Sequence, residues 1–88
     1  MAFSNLGPPT TLPANTQTRW EYWLNAARSD FGLQTACADI KSPNQGAWHV
    51  ARDQGKRRED SGRTTYTVII VNQGPGAATH NLQGGGGV

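Results

Sequence analysis

One run constrains this chain more than any other: Thr64-Thr65-Tyr66-Thr67-Val68-Ile69-Ile70-Val71-Asn72. Every residue before Asn72 is β-branched or aromatic, the types that suit a pleated, half-buried surface. From Val68 to Val71 the run is apolar on both faces, which marks a central strand. A central strand needs a partner along each edge, so the rest of the chain must supply strands.

The flanking segments read that way. Trp20, Tyr22, Leu24 and Ala26 alternate with Arg19, Glu21, Trp23 and Asn25, the period-two pattern of a half-buried strand. A helix from Trp20 to Arg28 is the competing reading, because Leu24, Ala26, Ala27 and Arg28 are good helix formers. The alternation favours the strand. Ser29-Asp30 supplies turn chemistry, and Phe31 to Ile40, rich in small residues, forms the second strand. Ser42-Pro43-Asn44-Gln45-Gly46 is a turn. Ala47 to Asp53 is the third strand, with Trp48 and Val50 on one face and His49 and Ala51 on the other. Gln54 to Arg63 reads as a polar connection. The Thr64 run is the fourth strand, Asn72-Gln73-Gly74-Pro75-Gly76 a turn, and Ala77 to Gln83 the fifth strand. About five strands separated by turn signals predict an all-β fold, a small antiparallel sandwich or open barrel.

The ends read differently. Residues 1–18 carry Pro8, Pro9 and Pro13 among Thr, Asn and Gly, which predicts an extended arm. Residues 84–88, four glycines and Val88, read as a flexible tail. The sandwich is then assigned to residues 19–83.

Composition narrows the function classes. At 88 residues the chain holds one domain and leaves no room for a separate cofactor domain. Only 35% of the residues are hydrophobic, and a domain this small buries only about 60% of its unfolded surface. Cys37 is the only cysteine, so neither an internal disulfide nor a cysteine-rich zinc site is available. His49 and His80 are the only imidazoles. No cofactor or metal is expected, and the missing staple points to a homo-oligomer. No apolar run approaches the roughly 18 residues of a membrane span. The first nine residues lack a basic, apolar leader, which predicts a cytoplasmic compartment, with leaderless export or a surface location as the alternatives.

The segment Tyr66-Thr-Val-Ile-Ile-Val-Asn72-Gln-Gly-Pro-Gly-Ala-Ala-Thr79 resembles a strand-turn-strand unit of Ig-like repeats on prokaryotic surface proteins, the cell-adhesion-related CARDB type. The resemblance implies an Ig-like sandwich and no catalytic residue. The chain departs from that pattern by ending one strand later in a glycine run, and the missing strands would come from a partner subunit.

No nucleophile, metal or phosphate motif appears. Cys37, between two alanines, reads as close packing. The aromatic residues carry more information. Trp20 and Tyr22 share a face and read as core, whereas Trp23 faces the other way beside Glu21 and Asn25. A flat apolar ring flanked by hydrogen-bonding groups suits a sugar, and equally a protein interface. Trp48, with His49 and Arg52, repeats the pattern. Asn44, Asn72 and His80 lie among amide-rich turns and the last strand. Trp23, Trp48, Asn44, Asn72 and His80 are therefore the candidate glycan contacts of a non-enzymatic, lectin-like module. An assembly subunit making protein contacts only is the alternative. Nucleic-acid binding through Lys56, Arg57, Arg58 and Arg63 comes third, because the run also reads as a solvated turn tip and the net charge is only +2.

Overall fold

The computed structural model describes residues 2–23, 34–42 and 46–86. It is an all-β sandwich of two antiparallel sheets. Its strands are β1 (Ala2–Asn5), β2 (Thr10–Leu12), β3 (Gln17–Tyr22), β4 (Gln34–Ser42), β5 (His49–Arg58), β6 (Thr64–Asn72) and β7 (Ala78–Gly86). The order β3-β6-β5 makes one sheet. In the other, β7 pairs with β4 along one edge and with β1 and then β2 along the other.

β6 occupies Thr64–Asn72, the span its sequence predicts, and is the central strand of its sheet. Tyr66, Val68, Ile70 and Asn72 point into the core and are buried. On the opposite face Thr67, Ile69 and Val71 are half-buried. From the other sheet Leu12, Ala36 and Leu82 complete the core. Tyr22 stacks on its cross-strand partner Tyr66, with centroids 5.6 Å apart. The turn between β6 and β7 carries the chain from one sheet to the other, so the two consecutive strands are each the centre of a sheet.

Several expectations are corrected. The described residues form seven strands, and the two additional ones come from the N-terminal arm. Pro8 and Pro9 fall between β1 and β2, where no ladder hydrogen bond is needed, so the prolines space two short edge strands rather than prevent them. The glycine tail is, over Gly84–Gly86, the end of central strand β7, paired with β1 and β4. Residues 2–5 and 10–12 of the arm and Gly84–Gly86 thus pair within the same four-stranded sheet.

β5 also runs five residues past its expected end at Asp53, so Lys56, Arg57 and Arg58 stand in a strand and the turn is Glu59–Arg63. The extension depends on a bulge between Arg52 and Gly55, with Asp53 at φ 54°. There Gln54 Oε1 accepts the Ala36 backbone N–H of β4 at 2.8 Å, linking the sheets at one edge. Ala36 is buried, but strand alternation turns Cys37 outward, so the cysteine is exposed rather than packed. Phe31–Leu33, Leu24–Asp30 and the Pro43–Gln45 turn lie outside the described residues. No helix among the described residues is long and apolar enough to cross a membrane.

Candidate functional site

Among the described residues Trp23 and Trp48 are the large hydrophobic side chains that stand in solvent, 47% and 61% exposed. Trp23 follows β3, where alternation turns it away from its buried neighbour Tyr22. Trp48 precedes β5 for the same reason, opposite buried His49. They lie at opposite ends of one sheet. Tyr22 opposes Tyr66 and His49 opposes Asn72, a span of about 20 Å along β6 at about 3.3 Å per residue. The two indoles cannot grip one small ligand.

Trp23 has the richer surroundings. It walls an open groove of about 350 Å³ with Leu6, Gly7, Glu21 and Tyr22. The Arg63 guanidinium, at the start of β6, lies 3.9 Å from the indole centroid, a cation–π contact. Glu21 sits on the same outward face of β3, held by Arg19 at 3.2 Å and Arg57 at 3.4 Å. These pairs orient the carboxylate as a hydrogen-bond acceptor at the groove. Burial raises the Tyr22 hydroxyl above its ordinary value, and neighbouring Tyr66 raises it further, so that hydroxyl stays protonated.

The other candidate contacts are placed differently. Asn72 and His80 are fully buried, which corrects their assignment as ligand contacts. The Asn72 amide donates to the Leu12 and Gly76 carbonyls at 2.8 and 3.0 Å and accepts the Gly74 N–H at 2.8 Å. It is a clamp holding β2, β6 and the following turn. His80 faces the core from the middle of the four-stranded sheet, with Trp20 and His49 around it. Asn44 lies outside the described residues.

The basic set divides. Arg57 is bound by Glu21 and Glu59, and Arg63 by the Trp23 ring. Lys56 and Arg58 stand on exposed β5. Hydrogen bonds from Arg57 and then Thr65 hold the Glu59 carboxyl below the ordinary range, and Glu59 in turn fixes Arg57. Among the described residues no three His, Cys, Asp or Glu side chains gather as a metal set would.

Sequence reasoning missed a second cavity of about 280 Å³, lined by Tyr22, Gln34, Gln54, Gly55, Tyr66 and Thr67 with Lys56. The bulge that turns Gln54 toward β4 creates it, and Gly55 was the available sign. No family model, curated protein or solved structure matches this chain.

Proposed function

We propose that this domain is a non-enzymatic recognition module, with the Trp23 groove as its contact surface and carbohydrate as its ligand class. The observation that carries this reading is the exposed indole of Trp23 beside the Glu21 carboxylate. A pyranose presents an apolar C–H face and a rim of hydroxyls. Trp23 offers the matching platform, Glu21 accepts hydroxyl protons, and Arg63 fixes the ring's orientation. Assembly of several copies would multiply weak single-site affinity.

A glycan-array screen tests the reading, with the mass in solution measured on the same sample. Selective binding to a few related sugars, abolished by Trp23→Ala and retained by Trp48→Ala, is the expected result. A blank array from a folded oligomer would overturn it.

Trp48 favours a second reading. An indole 61% exposed at the far end of the sheet suits an anchor between copies or to another protein. On that reading the chain is an assembly subunit, and Trp48→Ala dissociates the oligomer without any sugar response. Nucleic-acid binding through Lys56, Arg57, Arg58 and Arg63 has less support, because two carboxylates already engage Arg57.

A further inference from the structure

A chain of hydrogen bonds crosses the core between the two sheets. Trp20 Nε1, on β3, donates to His80 Nε2, on β7, at 3.3 Å. His80 Nδ1 lies 3.0 Å from His49 Nδ1, on β5. Trp20 and His49 belong to the three-stranded sheet and His80 to the four-stranded one, so the chain ties one sheet to the other twice. His80 is fully buried and His49 is 9% exposed.

The donor pattern fixes the protons. An indole N–H only donates, so His80 Nε2 is an acceptor and carries no proton. Neutral His80 then bears its proton on Nδ1 and donates it to His49 Nδ1. Neutral His49 must bear its own proton on Nε2, which is buried without a hydrogen-bond partner. A second proton on either ring has no acceptable place. On His80 it enters at Nε2, against the Trp20 N–H. On His49 it enters at Nδ1, against the His80 Nδ1–H. Each event sets donor against donor and leaves a cation between the sheets.

We propose that Trp20, His80 and His49 form an acid-sensitive clasp, which holds the two sheets together while both imidazoles are neutral and opens that part of the sandwich when they take up protons. Among the described residues nothing facing the rings offsets the charge. Across the ladders His80 is flanked by Thr10 and Ile40, and His49 by Asn72. The next ionisable groups on the inner faces of β3 and β6 are Tyr22 and Tyr66, in their buried stack. Asp39 and Lys41 on β4, Arg19 and Glu21 on β3, and Arg52 and Asp53 on β5 pair with one another on the outside. Desolvation holds both imidazoles below their ordinary value, and His49 lowers His80 further.

The sign follows from linkage. A histidine depressed in the folded state contributes stability above its unfolded value of about 6.5 and loses it as the pH falls. For rings that stay neutral throughout in the folded protein, the drop in the folding equilibrium constant between pH 6 and pH 5 has a ceiling of about sixtyfold for two groups and about eightfold for one.

Two measurements on the whole chain test the clasp. Long-range ¹H–¹⁵N spectra at pH 7 should show His80 protonated at Nδ1 and His49 at Nε2. Urea unfolding at pH 6 and pH 5 should show a steeper loss of the folding constant in the wild type than in His49→Phe, which keeps an aromatic ring in place, with about sixtyfold and about eightfold as the respective ceilings. A His80 proton on Nε2, either imidazole titrating near 6.5 while the protein stays folded, or a folding constant unchanged by pH would overturn the proposal. If His49→Phe does not fold, the wild-type spectra and urea series still decide.

Discussion

The side chain of Leu6 occupies the place where Gly84 would carry a Cβ: its Cδ1 overlaps that position. Gly84 lies in β7 between Ser4 of β1 and Ala36 of β4, so close approach, rather than a turn, excludes a larger residue there. Leu6 is fixed over it by its own backbone N–H, which donates to the Leu82 carbonyl at 2.8 Å.

This contact yields a coupling. Gly84→Ala should destabilise the domain by about 1–2 kcal/mol, in the range of core overpacking. In a Leu6→Ala background the same substitution should be close to neutral, because the added methyl group fills the vacated space. A double-mutant cycle by urea denaturation measures the difference, expected to exceed about 0.5 kcal/mol. Strict additivity would mean that Leu6 swings aside at no cost.

Asn72 should be intolerant of change because its side chain is buried and fully engaged. Asn72→Ala removes three hydrogen bonds at a buried position and should cost about 3 kcal/mol, at about 1 kcal/mol per bond. Asn72→Asp should fare no better. Its carboxylate still accepts from Gly74 N–H but meets the Leu12 and Gly76 carbonyls acceptor to acceptor. The midpoints of chemical denaturation for both variants give the comparison, and a loss below about 1 kcal/mol would remove the clamp role.

Gln54 should act locally. In Gln54→Ala the Ala36 N–H on β4 loses its acceptor, at a cost of about 1–2 kcal/mol. Amide hydrogen exchange should speed up at Ala36 while the β6 core stays protected. Unchanged exchange at Ala36 would show that water replaces the amide without penalty.

Different parts of the fold were legible to different degrees, for physical reasons. The span of β6 could be read residue by residue, because a run apolar on both faces permits only a central strand. The outward position of Trp23 could be read too, since period-two alternation fixes it relative to Tyr22, whereas alternation alone put Trp48 opposite His49 without saying which of the two faces the core. The arm could not. Nothing local in Ala2–Asn5 or Thr10–Leu12 announces a strand, and both form by pairing with residues at the far end of the chain. Gly84–Gly86 misled for the same reason: glycine raises local freedom, but a ladder on each side removes it.

The candidate site shows the same division. Glu21 beside Trp23 is a matter of sequence, whereas Arg63 reaches the indole only because β3 pairs with β6. Asn72 and His80 have the composition of ligand contacts, and only the packing of two sheets turned them inward. By itself the sequence determined the all-β class, the central strand and the outward face of Trp23, because side-chain period and β-branching act over a few residues. The tertiary structure alone decided which polar groups are buried, which strands the arm joins and where the two histidines meet, because those contacts depend on strand pairing and sheet packing between distant parts of the chain.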